Sequence, residues 1–131
     1  MDNETVDALF KMFTKGMQVE RARHQMTLGS LIKRLSMMPP EANLKVYVNL
    51  HSYRGYYEDL SIGEEDSGPV STVSELLTAC KEAVGKEFTG YKGGEFVMGH
   101  DTPLWVAGYG KTGKRLIAVN DDGSLVTKED E

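Results

Sequence analysis

An α+β domain with a mainly antiparallel sheet and two or three helices is the fold class this chain predicts, and three observations point to it. Thr27 and Thr72 each open a run in which apolar residues recur every three or four positions, the period of a helix with one buried face. Short stretches rich in β-branched and aromatic residues lie between and after those runs. The resulting order of helix, helix, strand, strand, helix and then several strands groups the strands instead of alternating them with helices.

In chain order, residues 1–25 read as a polar amphipathic helix or extension, with Val6, Leu9, Phe10, Phe13 and Met17 near helical spacing and Gly16 weakening it. Its apolar stripe is too narrow to form a core, so it is expected to pack as an appendage or join a subunit contact, with a flexible tail as the alternative. Residues 26–126 read as a single α+β ligand-binding domain. Thr27 caps a helix to about Met37, with Leu28, Leu31, Ile32 and Leu35 on one stripe, and Pro39 and Pro40 stop it. Leu44 to Leu50 reads as a strand, and Asp59 to Ile62 as part of the next.

Thr72-Val73-Ser74-Glu75 has capping-box spacing and starts a helix through Val84, burying Leu76, Leu77, Cys80 and Val84 until Gly85 ends it. Short strands are expected at Glu87 to Thr89, Glu95 to Met98, Pro103 to Ala107 and Lys114 to Asn120. A turn over Asn120-Asp121-Asp122-Gly123 follows, with a last strand through Val126 and a frayed acidic tail over residues 127–131. Short edge strands would leave surfaces for self-association.

A net charge of −5 argues against a partner that is a nucleic-acid polymer, which calls for a basic balance or a long basic face. The single cysteine, Cys80, excludes an internal disulfide and a thiolate-rich zinc site, and suits an intracellular context. No run approaches the roughly 20 apolar residues that span a bilayer, and Asp2 and Glu4 stand where a signal peptide carries positive charge. A cytoplasmic location with no membrane partner is the expectation.

The run Ser52-Tyr53-Arg54-Gly55-Tyr56-Tyr57-Glu58-Asp59-Leu60 sets one guanidinium among three rings. Arginine presents a planar fork of donors matched to phosphate oxygens, and tyrosine a flat face for a base. The plainer reading ties Arg54 to Glu58 or Asp59. In Phe88-Thr89-Gly90-Tyr91-Lys92-Gly93-Gly94-Glu95-Phe96, backbone amides with Lys92 would surround phosphate, or the glycines would simply make a β-turn between core Phe88, Tyr91 and Phe96. Alternation through Pro103 to Gly110 puts Trp105, Ala107 and Tyr109 on one face, which could stack a base or be core; Lys111, Lys114 and Arg115 follow.

The candidate ligand-binding residues are therefore Tyr53, Arg54, Tyr56, Phe88, Tyr91, Lys92, Trp105, Tyr109 and Arg115. His24, His51 and His100 show no metal spacing, GxSxG is absent, and Cys80 falls on an apolar stripe. The expectation is a binder with no catalytic residue, no metal and no cofactor.

Thr27-Leu28-Gly29-Ser30-Leu31-Ile32, the Ser52 to Leu60 run, the Gly90 to Phe96 run and Trp105-Val106-Ala107-Gly108-Tyr109-Gly110 together resemble the first-described Thoeris anti-defence proteins of bacteriophages, over roughly residues 26–120. The resemblance implies a cytoplasmic sponge that binds cyclic ADP-ribose isomers without cleaving them, in some members also cyclic trinucleotides. It also implies a homo-oligomer, a hexamer among the known forms, in which Arg54 holds a phosphate and the aromatic and late basic residues build pockets between subunits. Two departures stand out: Gly108 occupies a position where the family more often has asparagine, and the C-terminal end is short. An oligomeric interaction protein with no nucleotide ligand and a cyclic-nucleotide-degrading enzyme are the alternatives.

Overall fold

The computed structural model describes residues 25–53, 59–64, 68–89, 95–107 and 113–129. Of the amphipathic helix or extension expected over residues 1–25, all but Gln25 lies outside them.

The chain enters the domain by wedging between two strands. Met26 donates its N–H to Leu116 O at 2.7 Å and accepts from Leu104 N at 3.0 Å, and Thr27 then opens helix α1 (Leu28–Leu35). Thr27 Oγ1 accepts from Ser30 N, and Ser30 Oγ accepts from Thr27 N at 2.8 Å, so two otherwise unpaired amides are satisfied reciprocally. Leu28, Leu31 and Leu35 are fully buried, as their spacing predicts. The helix closes two residues before Met37, because Met37 N and Met38 N bond to carbonyls three residues back and tighten the last turn.

Strand β1 (Tyr47–Ser52) starts later than expected. Leu44 and Val46 instead exchange bonds with Ser71, and Lys45 N donates to Gly123 O, so the first half of the apolar run packs outside the sheet. Strand β2 (Leu60–Gly63) pairs antiparallel with β1, Ser52 opposite Leu60 and His51 opposite Ser61. Helix α2 (Val73–Ala83) has the expected capping box, with Glu75 N to Thr72 Oγ1 at 3.1 Å and Thr72 N to Glu75 Oε1 at 3.0 Å. Its buried stripe is Val73, Leu76, Cys80 and Ala83, with Leu77 and Val84 partly covered. Gly85 ends it at φ 79°, a left-handed conformation that costs other residues a clash with Cβ.

Strands β3 (Glu87–Thr89) and β4 (Glu95–Val97) form a separate two-stranded sheet with Phe88 opposite Phe96. Strands β5 (Leu104–Val106), β6 (Lys114–Val119) and β7 (Leu125–Glu129) complete a five-stranded sheet in the order β1-β2-β5-β6-β7. It is mostly antiparallel, but β2 and β5 run parallel, joined through α2 and the small sheet. The last strand continues past Val126, because Thr127, Lys128 and Glu129 pair with Leu116, Arg115 and Lys114; three residues expected in the tail are thus in the sheet.

One face of the sheet carries Leu60, Ile62, Leu104, Leu116 and Val119 against α1 and α2 in a single aliphatic core. Arg34 pins α1 to this sheet, with Nε on Val119 O at 2.9 Å and Nη2 on Asp121 at 2.6 Å. Among the described residues no helix is long and apolar enough to cross a membrane.

Candidate functional site

The opposite face of the sheet is built differently. Side chains alternate along a strand and directly paired residues share a face. Since Leu60, Ile62, Leu104 and Leu116 point to the helices, Ser61, Trp105 and Arg115 point away. The register lines up His51, Ser61, Trp105, Arg115 and Lys128 as a row crossing all five strands. The aliphatic face contains no such mixture of an imidazole, a hydroxyl, an indole and two cations.

Tyr53 closes over this row. Its ring stacks on the indole of Trp105, centroids 4.4 Å apart and planes 11° from parallel, and Ala107 completes the cluster. The Tyr53 hydroxyl accepts from Gly113 N at 2.8 Å, while Tyr53 N donates to Asp59 O at 3.4 Å. Tyr53 is therefore fixed at both ends: its backbone joins the two flanks of residues 54–58, and its hydroxyl holds the residue that follows 108–112. Gly113 itself packs on the end of β5, where a Cβ would lie 2.1 Å from Val106 O and 2.4 Å from Ala107 Cβ.

The polar members are deeply placed. Asp59 is 1% exposed, Ser61 is fully buried, and His51 retains 7%. The single proton of Ser61 Oγ is shared among the carbonyls of Ile62, Trp105 and Ala107 at 3.3 to 3.4 Å. His51 Nδ1 lies 2.6 Å from Asn49 O and so carries a proton, leaving Nε2 as the basic nitrogen of the neutral ring. Burial holds the imidazole below its ordinary pKa, opposed only partly by that carbonyl. Arg115 adds a bond from Nη2 to Glu129 O at 3.1 Å and thereby ties β6 to β7.

Of the nine residues expected to bind ligand, Tyr53, Trp105 and Arg115 come together on this face. Phe88 does not join them: it packs half-buried against the aliphatic core, with the Lys86 ammonium 5.5 Å from its ring centre. Arg54, Tyr56, Tyr91, Lys92 and Tyr109 lie outside the described residues. Trp105 is fully buried, so its indole serves as the floor beneath Tyr53, the core alternative of the sequence reading, and presents no open face to a base. Cys80 is likewise interior, its thiol pushed up to about 12 by burial, which leaves almost no thiolate at neutral pH.

In sequence His51 is isolated, and Asp59 reads only as a partner for Arg54. The signal that links them was present in the period-two positions 51, 53, 59 and 61, whose polar character contrasts with Leu50, Leu60 and Ile62. Comparison of the chain with protein-family models, with characterised proteins and with solved structures finds no match in any of the three.

Proposed function

We propose that this protein sequesters a cyclic nucleotide immune messenger, a cyclic ADP-ribose isomer or a cyclic trinucleotide, without reacting with it. It acts as a homo-oligomer in the cytoplasm of a bacterium, where it lets a phage evade Thoeris-type or related cyclic-oligonucleotide defence. The observation that carries the reading is the double anchoring of Tyr53 between Trp105, Asp59 O and Gly113 N. That anchor ties the ends of two segments whose composition suits a phosphate and a base: residues 54–58, with Arg54 and Tyr56, and residues 108–112, with Tyr109 and Lys111.

Held ends reduce the chain entropy a segment loses when it closes on a ligand, and pre-organisation of this kind raises affinity. Charge-assisted hydrogen bonds of about 1.5–3 kcal/mol each and base stacking of about 1–3 kcal/mol per base can sum to nanomolar binding without chemistry. The test is to incubate the protein with cyclic ADP-ribose isomers and cyclic trinucleotides, remove free ligand, heat-denature and assay what is released. Intact ligand from the wild type and none from a folded Arg54→Ala variant is the expected result. Degraded ligand would indicate an enzyme instead.

The complete burial of Trp105 favours a second reading, in which the aromatic cluster only packs and the protein is an oligomeric interaction module. Under it no cyclic nucleotide raises the melting temperature, whereas a ligand that binds the native state must do so by mass action.

A further inference from the structure

The gap between the two sheets is concave and partly apolar. Strand β1 is an edge of the large sheet, and β3 belongs to the small one, so no ladder closes the space between them. Val48 and Leu50 from β1, Ala79 and Ala83 from α2, and Phe88 from β3 line a cleft of about 150 Å³, with Glu82 and Lys86 also on its wall. Ala79 and Ala83 stand one helical turn apart on the same face, and their small side chains leave the cleft open. Val48, Leu50, Ala79 and Phe88 are each left partly exposed around it.

A space of this size accepts one benzene-sized ring. The charges constrain what the ring carries: Glu82 and Lys86 are both exposed, one of each sign, and the Lys86 ammonium lies 5.5 Å from the Phe88 ring centre. A ring bearing only a carboxylate answers Lys86 alone, and one bearing only an ammonium answers Glu82 alone. A ligand with both groups answers both.

We infer that this cleft binds a free aromatic α-amino acid, its ring against Val48, Leu50, Ala79 and Phe88, its ammonium toward Glu82 and its carboxylate toward Lys86. The site lies on the helix side of the sheet, away from the Tyr53 and Trp105 cluster, and does not depend on the cyclic-nucleotide reading.

Titrating L-phenylalanine into methyl-labelled full-length protein tests it by NMR. Saturable shifts are expected at the methyl groups of Val48, Leu50, Ala79 and Ala83, with Leu28 and Leu31 unmoved. Benzylamine and 3-phenylpropionate, each lacking one charged group, should bind roughly 2- to 5-fold more weakly, the scale of an exposed ion pair. Ala79→Leu should fill the cleft and remove the shifts, and exposed Lys86→Gln should weaken binding of L-phenylalanine but leave benzylamine unaffected. The inference fails if no saturable shifts appear at the cleft, if the three ring compounds bind equally, or if a folded Ala79→Leu variant binds as the wild type does.

Discussion

The two faces of the five-stranded sheet solve the problem of burial by different physics. Against the helices, Leu28, Leu31, Leu76, Ile62 and Leu104 share one aliphatic core in which contact is non-directional and proportional to area. On the other face His51, Asp59, Ser61, Trp105 and Tyr53 are buried almost as completely, but their polar atoms need partners at fixed positions. The first face contributes stability through buried area alone. The second specifies which strand end sits beside which, because Tyr53 reaches Gly113 only when β1, β2, β5 and β6 hold their observed register.

The largest effects should come from emptying either face. Leu76→Ala is expected to cost about 2–5 kcal/mol and Trp105→Ala about 3–5 kcal/mol, measured by urea denaturation. Trp105 is the only tryptophan, so its fluorescence reports the second face alone while far-UV circular dichroism is dominated by the helices of the first. Coincident unfolding curves by the two probes are expected for one cooperative unit. Separated midpoints would break the view that both faces belong to one folding unit.

Next in size is Gly113→Ala. The added Cβ would overlap Val106 O and Ala107 Cβ, all of them next to the Tyr53 hydroxyl contact, and a cost of about 1–3 kcal/mol is expected as the strand shifts away. Tyr53→Phe is gentler. It keeps the stack on Trp105 and removes only the oxygen that accepts from Gly113 N, for about 0.5–1.5 kcal/mol. If the anchor serves a ligand site, Tyr53→Phe should weaken capture of cyclic nucleotide while fluorescence shows Trp105 still buried. Unchanged capture would confine the hydroxyl to a structural role. On the helix side, Thr72→Ala removes a cap for about 0.5–2 kcal/mol and should leave ligand capture untouched.

The helix-covered face was readable from the sequence because its information is local. Both caps, both apolar stripes and the stop at Gly85 follow from residues within a turn or two of one another. The second face depends on strand order. That Ser61 lies beside Trp105, forty-four positions away, requires the parallel pairing of β2 with β5, and no periodicity encodes a partner choice. The same limit explains the separation of Phe88 from Trp105: both sit in aromatic, glycine-rich sequence, yet the small sheet places one against the aliphatic core and the register places the other on the reverse face. The start of β1 differs from the apolar pattern for a related reason, since Leu44 and Val46 have strand-like neighbours but bond to Ser71.

The smallest effect separates the faces by pH. Burial lowers the His51 pKa below 6.5, so the unfolded chain takes up a proton more readily than the native one. The native state's advantage from keeping His51 neutral is then complete above about pH 6.5 and declines as pH falls from there to the folded-state pKa, below which it is level. Glu75 and Asp122 have carboxyl pKa values lowered by bonds to Thr72 and Ser124, so their losses come at lower pH. Glu87 works in the opposite direction: a side-chain hydrogen bond to Glu95, and then the charge of that carboxylate, raise its pKa, so acidification favours the protonated Glu87 that donates to Glu95 and relieves a repulsion on the small sheet. Stability measured in urea from about pH 8 to pH 5 should therefore fall in wild type. It should fall more steeply at the acidic end in Glu87→Gln, which removes the compensating gain, and flatten in His51→Gln. An unchanged slope in His51→Gln would mean that the imidazole gains as much from its surroundings when charged as burial takes away, and the second face would then tolerate a charge at its edge.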